Sequence, residues 1–328
     1  MNRTRCLFAA ILIVPCFCLA DDARTKSDAT ELINRAATRQ GIRSAGEKPY
    51  ILRVKFRAEH IVPKPMEGQY EEVWMSPDKW RRELVLSGYK QVEIGGFGSK
   101  WLSRNLEFNP MPSYLLETAL DAFTELKMPT VEKVISIQTK KNKRSELRCI
   151  EFAAEHASPK RGLCFNDSGV LVSEEYLQQK FEYENFGTYG DKTFPRTIRI
   201  YADDRKVLEL GLEDLVPPTN IAPELFRAAA DARQLAPCGR WPAVPTQKVQ
   251  PQYPREARDA HEQGTVTVYA AVAADGHIER TQILQSAGQA LDKATQDAVQ
   301  QWAYPAITCG VQPLPTEIEV RVNYSLSH

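Results

Sequence analysis

No Cys-x-x-Cys occurs in the 328 residues, and the five histidines stand apart at positions 60, 156, 261, 277 and 328. Zinc sites and thioredoxin-like redox centres need ligands or thiols at closer spacing, so neither chemistry is indicated. An excess of one charge is lacking as well. Lys+Arg and Asp+Glu both number 42, so the basic balance expected of a nucleic-acid-binding protein is missing. The N-terminal apolar stretch, Cys6 to Ala20, is 15 residues long, short of the roughly 17–25 that a spanning helix needs. No histidine stands with a nucleophile and a carboxylate in a recognisable catalytic arrangement. The sequence therefore reads as a non-enzyme, with no catalytic residue, metal or cofactor assigned.

The charged and hydrophobic fractions, 26% and 43%, are those of a globular chain, and its length suits two domains. Arg3 and Arg5 precede the apolar stretch, and Asp21-Asp22 follow it. Together they read as an export signal, residues 1–20, cut after Ala20, with an uncleaved anchor as the alternative. Removing it leaves 40 basic against 42 acidic side chains and four of the seven cysteines. An even cysteine count in an exported chain favours structural disulfides.

Residues 27–44 have the spacing of an amphipathic helix, with Leu32, Ile33, Ala36 and Ala37 on one face. From 47 to 226 short alternating runs are broken by Gly, Pro and Ser, the texture of a meandering antiparallel sheet. One helix, 112–128, interrupts it. Residues 227–244 read as a linker, and 245–328 as a small module: helix 255–262, strand 264–273, turn at Asp275-Gly276, strand 277–285, helix 290–302, strand 316–326. The fold class is α+β: a curved antiparallel half-barrel wrapped on a helix, then the small αβ module.

Some stretches suggest chemistry and then fail to support it. "GGFGSK" (Gly95 to Lys100) lacks the spacing of a phosphate loop and lies between two strands, so it reads as a hairpin turn. "KKNKR" (Lys140 to Arg144) has no interleaved aromatics and reads as a solvated loop. The aromatics of the first sheet, Trp74, Trp80 and Trp101 among them, read mainly as core, with acyl-chain lining as the alternative. Cys149 and Cys164 flank a hairpin loop and can face each other across neighbouring strands, so a disulfide is expected there. Cys238 precedes the small module and Cys309 follows its last helix, so a second bridge is expected between them.

Residues from about 245 to 326 resemble the C-terminal domain of the TonB family of energy transducers. "QPQYP" (Gln250, Pro251, Gln252, Tyr253 and Pro254), Ala257, Gly264, Asp275-Gly276, Ser286, Gly288, Leu291-Asp292, Trp302 and "VRVNYSL" (Val320 to Leu326) carry the resemblance. "WAYPA" departs from it, because Tyr304 joins Pro305 without the usual intervening residue. The resemblance implies that the last strand is a sheet edge to which an extended segment of an outer-membrane receptor or other envelope protein adds. It implies partner contacts at Glu317, Glu319, Val320, Arg321 and Asn323, with Glu317, Glu319, Arg321 and Asn323 sharing one face, and at the "QPQYP" segment.

Residues 47–226 resemble the LolA/LolB-like family, through "GQYEEVWMSPDKWRRE" (Gly68 to Glu83), "LCFNDSGVLV" (Leu163 to Val172) and "FGTYGDKTFP" (Phe186 to Pro195). That likeness implies a sheet wrapped around a helix and an acyl chain or lipoprotein as ligand. The reading that follows is a periplasmic binding protein that docks an envelope partner by strand addition. The alternatives are a membrane-anchored energy transducer and a lipid or lipoprotein carrier. An open sheet edge also leaves a homodimer as an outcome.

Overall fold

The computed structural model describes residues 17–43, 46–62, 64–96, 98–124, 132–141, 146–154, 161–176, 179–202, 204–236, 245–306 and 313–326. Helix α1 (Phe17–Gln40) starts ten residues before the expected position, inside the apolar stretch. Nothing between Phe17 and Gln40 is Gly or Pro, so no breaker stops the helix from extending back, and Gly41 follows its last residue. The rest of the expected export signal, 1–16, lies outside the described residues.

Nearly all of the first domain is one antiparallel sheet. Its strands are β1 (Tyr50–Ala58), β2 (Met66–Ser76), β3 (Lys79–Leu86), β4 (Tyr89–Gly96), β5 (Ser99–Arg104), β6 (Glu132–Lys141), β7 (Glu146–Ala154), β8 (Arg161–Phe165), β9 (Leu171–Tyr176) and β10 (Gln179–Glu184). A small separate hairpin, β11 (Gly187–Tyr189) and β12 (Lys192–Phe194), leads to β13 (Thr197–Ala202) and β14 (Arg205–Val216). Strand β15 (Arg233–Leu235) closes one edge, giving the order β15-β5-β4-β3-β2-β1-β14-β13-β10-β9-β8-β7-β6. Register shifts at Arg53/Val54, Ile200/Tyr201 and Val134/Ser136 are the irregularities that bend such a sheet.

The alternation of β1, with Val54, Phe56 and Ala58 buried and Lys55 and Arg57 exposed, turns one face of the sheet inward. Helices α1 and α2 (Met111–Thr124) pack on that face. Leu32, Ile33, Leu115 and Leu116 join Trp74, Phe152, Phe181 and Leu210 in one core. Of the expected helix 112–128, the last residues lie outside those described. "GGFGSK" is the β4–β5 hairpin, and Gly95 is needed there because the Trp80 indole lies where its Cβ would stand, 1.9 Å away. Cys149 and Cys164 are direct cross-strand partners on β7 and β8 and form a disulfide. Cys238 and Cys309 lie outside the described residues.

The segment between the two sheets is not a bare linker. A 3-10 turn at Pro223–Phe226 lies against β3, and β15 adds to β5 in register with Lys100 to Leu102. The small module follows: α3 (Arg255–Asp259), β16 (Gly264–Val272), β17 (Ile278–Gln285), α4 (Gln289–Val299) and β18 (Thr316–Tyr324), with sheet order β17-β16-β18. Val266, Val268, Ala270 and Val272 face Leu291, Val299 and Trp302 in a second core.

Candidate partner-binding edge

Strand β18, "TEIEVRVNY", places its alternate residues Val320 and Tyr324 in the small module's core, and Ile318 and Val322 pack beside them. The Tyr324 hydroxyl lies 2.8 Å from Thr295 Oγ1 of α4. Tyr253 meets the Tyr324 ring edge-on, with centroids 5.3 Å apart, which brings "QPQYP" to the C-terminal end of β18. Trp302 fixes that segment by donating from Nε1 to the Val249 carbonyl at 2.8 Å. Gln250 and Gln252 are exposed, while Pro251, Tyr253 and Pro254 are half-buried.

Glu317, Glu319, Arg321 and Asn323 lie on the opposite face of β18, and Glu317 and Arg321 meet the first domain. Glu317 accepts two bonds from Arg104 of β5, each 2.9 Å, and a third from Arg233 of β15 at 2.5 Å. Arg104 also donates to the Tyr269 hydroxyl at 3.0 Å, and the Arg321 guanidinium lies 5.0 Å from the Tyr114 ring on α2. Thr267, Tyr269 and Ala271, which share this face of the small sheet, are buried. Burial alone would raise the Glu317 pKa, but Arg104 and the Tyr269 hydroxyl outweigh it and hold the carboxyl below its ordinary range. Of the four charged or polar side chains assigned to this face, Asn323 alone is exposed. Alternation in a sequence reveals that a strand has two faces; it does not reveal what covers the second.

Among the described residues, β18 pairs with β16 from Thr316 to Tyr324 and with no other strand. Among the described residues, one backbone bond reaches its start from outside the small sheet, Ala236 N–H to the Pro315 carbonyl at 2.8 Å.

The remaining residues of the resemblance are structural. Gly276 has φ +96°, and its carbonyl accepts from Tyr304 N–H at 2.8 Å. A Cβ there would stand 1.9 Å from the Tyr304 carbonyl oxygen. The turn "WAYP" is therefore rebuilt around Tyr304, which packs on the 275–276 turn and is itself buried. Asp292 holds the start of α4 by accepting from Ala287 N–H at 3.0 Å and from the Ser286 hydroxyl at 2.5 Å. A cleft of about 300 Å³ lies on the outer face of β3–β5, between Trp101, Ile94 and Leu225. Among the described residues no cluster of three metal-ligating side chains occurs. No helix among them is long and apolar enough to cross a membrane.

Residues 249–326 match the family described as Gram-negative bacterial TonB protein C-terminal. No curated protein matches the chain. Among solved structures, a domain assigned to outer membrane lipoprotein sorting, from Vibrio parahaemolyticus, is similar at 12% identity and TM-score 0.42, over 62% of this chain and 97% of that one. A LolA superfamily protein from Nitrosomonas europaea is similar at 11% identity and TM-score 0.41, over 61% and 97%. The TonB C-terminal domain of Pseudomonas aeruginosa is similar at 21% identity and TM-score 0.23, over 26% and 87%.

Proposed function

From the match of residues 249–326 to the TonB C-terminal family, we propose that the protein is a binding protein of the bacterial envelope. It captures an extended segment of a partner by adding it as a fourth strand beside β18. The observation that carries this reading is that, among the described residues, β18 pairs with β16 alone. An edge strand presents a row of free N–H and C=O groups, and a peptide that pairs with them gains main-chain bonds whatever its sequence. Selectivity then comes from the flanking side chains. On the α4 side these are the exposed Gln250 and Gln252 with the half-buried Tyr253 and Pro254, and at the end of the strand Asn323. On the other side the added strand runs along the first domain, so both domains shape what it accepts.

The inner face of the large sheet, where a carried acyl chain would go, holds α1, α2 and their side chains. The test is a photoreactive residue at Asn323, introduced in cells that express the full chain in their envelope. Strand addition yields an adduct with an extended segment of one envelope protein, and Val320→Pro, which distorts the strand and its edge, abolishes it. Circular dichroism at matched temperature confirms that the variant is folded. An adduct that survives Val320→Pro contradicts the proposal, and an adduct between two copies of the chain replaces it with self-association.

A further inference from the structure

The first domain buries a charged group of side chains beneath α2. Glu72, Arg82 and Glu93 are direct cross-strand neighbours on β2, β3 and β4. Arg82 reaches Glu72 at 3.2 Å and Glu93 at 3.9 Å, and Lys100 of β5 reaches Glu93 at 3.0 Å. Arg43, just beyond α1, reaches Glu72 at 2.6 Å and Asp121 of α2 at 2.5 Å. Those three cations and three carboxylates balance. Glu117, one turn before Asp121 on α2, is a fourth carboxyl in the same place, and it accepts from Gln91 Nε2 at 3.0 Å.

An ionised Glu117 would leave the group one negative charge in excess. Burial, and then Glu93 and Asp121 as like charges against Lys100 and Arg82, push its pKa up to about 8. The strands β13 and β14, which also touch α2, bring apolar residues such as Ile200 and Leu210 and no counter-charge. From the small module, Glu317 of β18 bears on the same Lys100. Tyr114, one turn before Glu117 on α2, is the ring beneath Arg321 of β18. α2 thus links the buried charges to the domain interface.

We propose that the proton on Glu117 governs docking of the C-terminal module: with it, α2 lies flat on the sheet and holds Arg321 through Tyr114; without it, α2 lifts and the module releases. The released state exposes Glu117 to water, where it has an ordinary glutamate pKa. A carboxyl whose pKa is raised in the docked state stabilises docking fully below its ordinary value, and that stabilisation is lost as pH rises through the docked value. The docking constant therefore falls about tenfold per pH unit between roughly 4.5 and 8, and levels off above that. This proposal does not depend on strand capture.

The test is amide hydrogen exchange of the full chain across residues 111–124 and 316–324, from about pH 5.5 to about pH 9, corrected for the intrinsic pH dependence of exchange. The expected result is an opening constant that rises about tenfold per pH unit to about pH 8 and is then flat. Glu117→Gln, which keeps the accepting oxygen and cannot ionise, removes the rise and stays protected throughout. A flat wild-type profile, or the same rise in Glu117→Gln, overturns the proposal. Small-angle scattering of the wild-type chain gives a readout independent of any variant: a radius that grows over the same window supports the proposal, and an unchanged radius overturns it.

Discussion

Gly276 illustrates how one residue sets a turn that the whole small module relies on. Its φ of +96° is open to glycine, and Tyr304 closes on the space where a Cβ would stand. Gly276→Ala is expected to destabilise the module by about 1–3 kcal/mol, read by chemical denaturation. Glu317 is a second single-residue case. Its pKa is depressed, so the stability it supplies is present above the ordinary carboxylate range and is lost as pH falls through the depressed value. Wild type and Glu317→Gln should therefore differ in stability near neutral pH and converge as pH falls below the ordinary carboxylate range. A difference that stays constant with pH would contradict the burial and pairing described for Glu317. The glycine was legible from the Asp-Gly turn signal. The buried role of Glu317 was not, because a charged residue on an edge strand is ordinarily solvated.

Among the elements, the β7–β8 hairpin was the most readable. Paired positions of an antiparallel hairpin share a constant index sum, so the loop centre alone placed Cys149 opposite Cys164. Their disulfide closes a loop with a sequence separation of 15, and the Cys149→Ser/Cys164→Ser double variant is expected to cost about 3 kcal/mol. The module's order of elements was readable for a similar reason: Asp275-Gly276 and the 3.6-residue period of α4 mark their own boundaries. β15 was not readable. Three residues, Arg233 to Leu235, cannot display a period, and their pairing with β5 is imposed by tertiary contact. The charged row of β2, β3 and β4 was also hidden. Nothing in the sequence singles out Glu72, Arg82 and Glu93, because only the pairing of strands aligns them under α2.

In the whole molecule, the decisive feature is that the small sheet has both faces covered, one by α4 and the other by the first domain. Among the described residues, β18 pairs with β16 alone, and the proposal rests on that outer edge. Arg104 is the centre of the contact between domains, since it bonds both Glu317 and Tyr269. Arg104→Ala leaves Glu317 buried with less of its counter-charge and is expected to weaken docking by about 3–5 kcal/mol. The change should appear in scattering as a larger radius with the secondary structure unaltered. The central claim, that β18 takes a fourth strand, is tested most directly by residue-resolved amide exchange on Thr316 to Tyr324. The measurement is made with and without the cross-linked partner segment as a synthetic peptide. Successive N–H groups of an antiparallel strand point alternately to β16 and outward. Strand addition predicts new protection at every second residue, on the outward-pointing amides, with the others unchanged. Binding that leaves those outward amides as exchangeable as before would contradict it.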